Sequence, residues 1–273
     1  MIKKCLFPAA GYGSRFFPVT KSVPKELLPV LNKPLIHYGV EEARAAGIEE
    51  MGMVISRGKT AIEDYFDQHP EFSRQFSSGN KAELLAGIDA LIEDCRFSFI
   101  RQQEMKGLGH AILTGQPLIG DEPFAAILVD DLCLGTEADG GVLAQMTRLY
   151  EQHGCSIVAI EEVPREQVQH YGVIAGEKID DGLYRITDMV EKPSPENAPS
   201  NLAIIGRYIL TPDIFDILKS TPPGKGGEIQ ITDALLQQAQ NGKVLAYRFR
   251  GKRFDCGSVA GMVEATNHLW NNL

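Results

Sequence analysis

The sequence predicts an α/β fold: a mixed, mostly parallel sheet with helices on both faces and a smaller antiparallel sub-lobe. Three observations predict it. Strand-like and helix-like stretches alternate through the first 161 residues. The strand-like runs are apolar throughout, as burial on both faces requires. Beyond residue 161, strand-like runs follow one another with turn residues between them. The first two observations describe a Rossmann-like frame, and the third describes the sub-lobe.

Strands are predicted at Cys5–Ala10, Met51–Ser56, Phe97–Arg101, Phe124–Val129 and Cys155–Glu161. Helical stretches lie between them at Pro34–Ala46, Thr60–Gln68, Lys81–Asp94, His110–Pro117 and Gly141–His153. Gly47 stands where a helix C-cap wants glycine. Further strands are expected at Tyr171–Ala175, Tyr184–Glu191 and Ala203–Leu210, with Asp180-Asp181-Gly182 as a hairpin turn. A proline-rich loop covers Lys192–Ser200. Helices at Thr211–Leu218 and Ile231–Gln240, a strand at Val244–Phe249 and a closing helix at Val259–Leu273 complete the chain. No flexible linker, repeat or low-complexity tract interrupts it, so one unit over residues 1–273 is expected.

Hydrophobic residues make up 44% of the 273, enough for a sizeable core. A net charge of −9 argues against a nucleic-acid partner, which calls for a basic face. A phosphate ligand needs only local positive charge. Lys3, Lys4, Arg15, Lys21, Lys25 and Lys33 supply it near the N-terminus against a single acid, Glu26. The five cysteines are scattered and form no C-x-x-C pair, so neither a disulfide frame nor a zinc knuckle is indicated. No signal peptide and no run of membrane-spanning length is visible. A reduced, cytoplasmic protein without a membrane partner is expected.

The run Gly11-Tyr12-Gly13-Ser14-Arg15-Phe16-Phe17-Pro18-Val19-Thr20-Lys21-Ser22-Val23-Pro24-Lys25-Glu26 follows the first apolar strand. A glycine turn after a buried strand brings backbone N–H groups close to a ligand. Arg15 and Lys25 add fixed positive charge, a combination that suits a triphosphate. Alone, the glycines describe a tight turn and Lys25 a solvated lysine. Phe16 occupies the place of the third glycine of a dinucleotide fingerprint, and no Walker loop follows, so a nicotinamide dehydrogenase is disfavoured.

Asp130 and Asp131 follow the apolar run Ala125–Val129, at the strand end where open α/β sheets bind ligands. Magnesium prefers one or two carboxylates completed by phosphate oxygens and water. Asp130 is therefore a candidate metal ligand, with Asp255 in Arg253-Phe254-Asp255-Cys256-Gly257 as a second. Alone, each reads equally as a turn residue. Gly107-Leu108-Gly109-His110-Ala111 opens a predicted helix whose first amides are free for a ligand. Gln103 has the donor and acceptor to read a base edge, although alone it is an ordinary surface amide. Glu191-Lys192-Pro193 ends a strand; its carboxylate suits sugar hydroxyls and its lysine a phosphate, or it is simply a charged strand end. The histidines form no metal-spaced set.

Together these motifs resemble the signature of the sugar-1-phosphate nucleotidyltransferases: G-x-G-x-R, then P-x-T-K-x-x-P-K-E, over Gly11–Glu26. Gly107–Ala111, Asp130, Tyr171-Gly172-Val173, Glu191-Lys192-Pro193, Ser200–Tyr208, Gly226–Asp233 and Asp255-Cys256-Gly257 extend the resemblance over essentially residues 1–270. Pro24-Lys25-Glu26 is similar to the UTP-using members, whereas those that use the deoxythymidine nucleotide usually carry Gln in place of Glu26.

The resemblance implies that UTP and glucose 1-phosphate give UDP-glucose and pyrophosphate. A phosphate oxygen of the sugar attacks the α-phosphorus in line, with no covalent intermediate. That nucleophile is already an anion, so the task is alignment and charge rather than proton transfer. By the same resemblance, Arg15 and the Gly11–Ser14 amides hold the β and γ phosphates, and Lys25 meets the α-phosphate. Asp130 and Asp255 hold Mg²⁺. Lys192 meets the sugar phosphate, while Glu191 and Gly172 bind sugar hydroxyls. Ala9, Ala10, Gly11, Gly13, Glu26, Gln103 and Gly109 form the nucleotide side. Asp131 receives no role. The nucleotide part is expected over about residues 1–160, the sugar part over 161–250 and the closing helix over 258–273. Family members are commonly homodimers or homotetramers, with the Trp270 helix a candidate contact. The alternatives are thymidylyl transfer, another sugar specificity, or a non-catalytic regulatory paralogue that binds UDP-glucose.

Overall fold

A computed structural model describes residues 1–76 and 80–272, so Leu273 of the closing helix lies outside the described residues. The strands are β1 (Lys4–Pro8), β2 (Pro29–Val30), β3 (Lys33–Pro34), β4 (Glu50–Ile55), β5 (Arg96–Arg101), β6 (Phe124–Ile127), β7 (Asp131–Gly135), β8 (Ser156–Glu162), β9 (Gly172–Asp180), β10 (Leu183–Glu191), β11 (Leu202–Leu210), β12 (Val244–Arg248) and β13 (Gly251–Asp255). Nine of them form one sheet in the order β5-β4-β1-β6-β11-β8-β12-β10-β9. Only β10 and β11 run against their neighbours, so seven of the nine strands point the same way. The antiparallel strands expected after residue 161 are present and continue this sheet. Through its added pairing with β11, β9 closes β11, β8, β12, β10 and β9 into a ring. β7 and β13, absent from the sequence expectation, form a separate two-stranded ribbon.

The helices are α1 (Leu35–Ala45), α2 (Thr60–Phe66), α3 (Pro70–Gln75), α4 (Asn80–Asp94), α5 (Gly107–Thr114), α6 (Gln116–Ile119), α7 (Val142–His153), α8 (Ile214–Ser220), α9 (Ile231–Gln240) and α10 (Val259–Trp270). The single helix expected over His110–Pro117 starts earlier, at Gly107, and is divided at Gly115; Pro117, with no N–H, opens the next helix. Gly47 follows α1 at φ +81° and Gly182 turns the β9–β10 hairpin at φ +69°, as both glycines predict. Ser258 caps α10 by accepting from the Gly261 amide at 3.1 Å. Among the described residues, no helix is long and apolar enough to cross a membrane.

Strand side chains alternate between two cores. Cys5, Phe7, Met51, Met53, Ala125, Ile127, Ile157 and Ala159 pack on one face with α1, α2, α7 and α10. Leu6, Val54, Phe124, Ala126, Val158 and Ile160 pack on the other with α5, α6, α8 and α9. Each fully buried aliphatic or aromatic side chain contributes about 1.5–3 kcal/mol of transfer free energy. This is why the central strands are apolar at every position.

One buried ion pair joins β11 to α1. Arg207 of β11 is 1% exposed and donates from Nη2 to Glu42 Oε2 of α1 at 2.7 Å. Its Nη1 donates to the carbonyl of Gly206 at 3.2 Å, while Glu42 Oε1 accepts from the Leu143 amide of α7 at 2.9 Å. Arg207→Met should lower stability by about 3–5 kcal/mol, because Glu42 is left buried without its partner. The double variant Arg207→Met/Glu42→Leu should recover most of that loss, and the urea midpoints of the two proteins check it.

Candidate active site

A cleft of about 680 Å³ has Arg15, Asp130, Gly172, Glu191, Lys192 and Asp255 on its walls. It lies where β1 and β6 end, the edge of the sheet at which the sequence places ligand binding.

The chain leaves β1 through Ala9 and Ala10, both buried, and Ala9 donates to the Val54 carbonyl at 2.8 Å. Gly11 is exposed with open space at its Cβ position. Gly13 has φ +65°, and a Cβ there would come within 2.9 Å of Lys25 Cβ. Only glycine allows the loop to fold this closely over the lysine stem. Thr20 Oγ1 donates to the Gly13 carbonyl at 2.8 Å and fixes the turn.

Lys25 Nζ donates to Asp130 Oδ2 at 2.6 Å, and Arg15 Nη2 lies 3.7 Å from the same oxygen. Burial alone would push the Asp130 carboxyl up, but Lys25 and then Arg15 outweigh it and hold the pKa below the usual carboxylate value. Burial opposes the charge on Lys25, and Asp130 overcomes it, so the lysine is held above its ordinary value. Arg15 also lies against Gly257, where a Cβ would sit 2.6 Å from Nη2 and 2.9 Å from Asp255 Oδ1. Asp255 Oδ1 accepts from the Gly257 amide at 3.0 Å. Arg15, Lys25, Asp130 and Asp255 are therefore brought together, as the sequence expects.

Asp131, left without a role by the sequence, has a clear one. Its Oδ2 accepts from the Gly206 amide at 2.7 Å and its Oδ1 from Arg253 Nε at 2.5 Å. Arg253 Nη1 continues to Glu161 Oε2 at 3.1 Å, and the guanidinium lies 5.1 Å from the centre of the Tyr171 ring. Burial pushes the Asp131 carboxyl up against the pull of Arg253.

The opposite wall carries Glu191, which pairs with Gly172 across β10 and β9. Thr232 Oγ1 donates to Glu191 Oε2 at 2.5 Å, and Lys192 Nζ lies 3.3 Å from Oε1. Lys192 holds a left-handed φ of +46°, unusual for a residue with a side chain, and its amide donates to the Tyr171 carbonyl at 2.9 Å. A Cβ on Gly172 would approach Thr232 Oγ1 to 3.0 Å and Glu191 Oε2 to 3.2 Å, so the carboxylate stays open only with glycine there.

Three nucleotide-side expectations fall differently. Gln103 lines a second cleft of about 350 Å³ with Tyr12, Arg57 and Arg101, and is not on the walls of the larger one. The Gly109 amide is not free for a ligand: it donates to the Ile229 carbonyl at 2.9 Å, because α5 packs tightly on that segment. Glu26 is 1% exposed, and both its oxygens accept from Lys59 Nζ at 2.8 Å. Lys59 also donates to the Ala9 carbonyl at 2.6 Å, so Glu26 braces the end of β1 from behind. Lys59, Thr232 and Arg253 were not foreseen. The spacing Arg253-x-Asp255 in a strand carries the one usable signal, since it puts both side chains on one face.

The donor set fits a hard cation that takes most of its ligands from phosphate. Asp130 and Asp255 face one cleft, and among the described residues no three His, Cys, Asp or Glu side chains gather into a closed metal cage.

A model of the family described as nucleotidyl transferase matches residues 6–272. A UTP–glucose-1-phosphate uridylyltransferase of Pseudomonas aeruginosa strain PAO1 is 65% identical over 273 residues, covering 100% of this chain and 98% of that protein. A crystal structure of UDP-glucose pyrophosphorylase complexed with UDP-glucose superposes with a TM-score of 0.94 at 59% identity, covering both chains completely, 100% of each. A UTP-bound UGPase from Acinetobacter baumannii superposes with a TM-score of 0.89 at 37% identity, over 98% of this chain and 93% of that one.

Glu26→Gln should destabilise the protein by about 3 kcal/mol near neutral pH, because it strands a buried ammonium. Burial already pulls Lys59 below the ordinary lysine value. The unfolded chain then binds more protons than the folded one, so the deficit should narrow as pH rises. Urea titrations of both proteins at several pH values check the size and the sign.

Proposed function

The chain belongs to the nucleotidyl transferase family, and we propose that it joins UTP to glucose 1-phosphate, giving UDP-glucose and pyrophosphate. One observation carries the reading: a cation pair with two carboxylates faces, across a single cleft, a carboxylate beside a lysine. The first wall suits a triphosphate and the second a sugar phosphate.

In this reading the Gly11–Ser14 amides and Arg15 hold the β and γ phosphates. Lys25 turns from Asp130 to the α-phosphate as negative charge builds there. Lys192 meets the phosphate of the sugar, and Glu191 accepts from sugar hydroxyls with Thr232 fixing its orientation. Asp130 and Asp255 would hold magnesium, which supplies charge neutralisation at the phosphate oxygens. Ala9 and Ala10 frame the base, and Glu26 acts on the nucleotide side indirectly through Lys59. No side chain has to remove a proton, because the attacking phosphate is already ionised. Catalysis then comes from alignment and preorganised charge. Val259, Val263 and Trp270 of α10 are 59%, 55% and 67% exposed, and they support self-association as a homodimer or homotetramer.

The first test is direct. Purified protein with UTP, glucose 1-phosphate and Mg²⁺ should release pyrophosphate and form UDP-glucose, with dTTP a poorer substrate. No product with any hexose 1-phosphate would overturn the reading. Lys25→Ala should lower turnover by about 100-fold or more, as losing one preorganised charge does, with a smaller change in the KM for UTP. Steady-state kinetics decide, and a turnover within about twofold of wild type removes Lys25 from the mechanism. Asp130→Asn should abolish the response of activity to Mg²⁺ while circular dichroism stays native; an unchanged magnesium titration would count against the metal assignment.

A further inference from the structure

We propose that Asp131 and Arg253 form a positioning clasp that sets the spacing between the Asp130 and Asp255 carboxylates. The proposal deepens the reading above and rests on it for the identity of those two residues as metal ligands.

The need for a clasp follows from the topology. Asp130 immediately precedes β7 and Asp255 ends β13, so one adjoins the small ribbon and the other lies in it. Among the described residues that ribbon shares no ladder with the nine-stranded sheet. The ladder within the ribbon sets Asp255 opposite Asp131, but does not hold the pair against Lys25, Arg15 and the sugar wall.

Leu132, Cys133 and Phe254 pack the ribbon into the first core, and two side chains make its polar connection. Asp131 Oδ2 takes the Gly206 amide of β11 at 2.7 Å. Its other oxygen takes Arg253 Nε of β13 at 2.5 Å. Arg253 Nη1 reaches Glu161 Oε2 of β8 at 3.1 Å and Tyr171 Oη at 3.4 Å, next to Gly172 on the sugar wall. Both strands of the ribbon are thereby tied to the main sheet. The side chains of Arg253 and Asp131 are only 6% and 10% exposed, so water does not loosen them. A guanidinium can bridge Asp131, Glu161 and Tyr171 at once because its donors are fixed in a planar fork. The pairing also occupies both oxygens of Asp131, which leaves Asp130 and Asp255 as the carboxylates open to a cation.

The test uses the full-length protein and the variants Arg253→Met, Arg253→Lys, Asp131→Asn and Arg253→Met/Asp131→Asn. Mn²⁺ binding in the presence of UTP, without sugar phosphate, is measured by electron paramagnetic resonance. Melting temperature and the Mg²⁺ dependence of turnover are measured beside it. Arg253→Met should weaken Mn²⁺ binding by about 10-fold or more, a loss of the order that follows when the groups orienting metal ligands are removed. Half-saturating Mg²⁺ should rise in parallel, with the KM for UTP changing by no more than about threefold. Arg253→Lys should recover part of the affinity. The double variant should stay weak, because it restores the charge balance and not the tie. Wild-type Mn²⁺ affinity in Arg253→Met would overturn the proposal, and so would full recovery in the double variant. A lowered melting temperature with unchanged metal affinity would overturn it as well, leaving the pair purely structural. If Arg253→Met does not fold, Arg253→Lys and Asp131→Asn carry the same readout. Because Mn²⁺ binding is read without turnover, an inactive wild type would refute the proposed reaction and leave the clasp still open to refutation by its own measurement.

Discussion

Strand β6 leaves the nine-stranded sheet at Leu128, and the backbone of Gly206 governs where the chain goes next. The Leu128 amide donates to the Gly206 carbonyl at 2.8 Å, and the Gly206 amide donates to Asp131 at 2.7 Å. A Cβ at this position would come within 2.7 Å of both Leu128 Cβ and Asp131 Oδ2. The position therefore admits no side chain, and β11 shifts register against β8 around it. Arg207, the next residue, is locked by the buried pair with Glu42. The bend that separates Asp130 from Asp131 is thus held by the middle of a strand far away in sequence, which is itself anchored to the first helix.

From that bend follows a division of labour among acids of the same chemical type. Asp130 meets Lys25 and Arg15, which hold its carboxyl below the usual carboxylate value despite its partial burial. Asp131 meets Arg253 and a backbone amide, and ties strands together. Glu26 meets Lys59 and supports the first strand from inside. Asp255 and Glu191 stay nearer the open cleft. The partners each carboxylate has, rather than the carboxylate itself, decide whether it is structural or available to a ligand.

The frame was legible because its signals are local. Apolar runs mark the two-sided central strands, Gly47 and Gly182 mark a helix end and a hairpin, and the glycine turn with Arg15 and Lys25 follows within a few residues of β1. The ribbon was not legible. Asp131–Gly135 begins with an acid and ends with glycine, and its partner strand lies far along the chain, so no window contains the pairing. Asp131 stayed unassigned for the same reason: Arg253 is 122 residues away. Gly109 misled in the opposite direction. Its place at a helix start promised a free amide, and only the packing of a distant segment reveals the Ile229 carbonyl that takes it. The motif placed Glu26 beside the nucleotide, yet the local sequence contains no sign of Lys59 behind it.

Without ligand, Lys25 is already committed: its ammonium sits 2.6 Å from Asp130. Were it to turn away, Asp130 would keep only the more distant Arg15, so a further cation at that half-buried carboxylate favours the exchange. A bare triphosphate arriving alone brings no such cation. One that arrives already chelated would, and would free the lysine for the α-phosphate. In the reading proposed here, the resting contact would act as a filter, favouring the chelated nucleotide over the naked one by exchange of counterions rather than by shape.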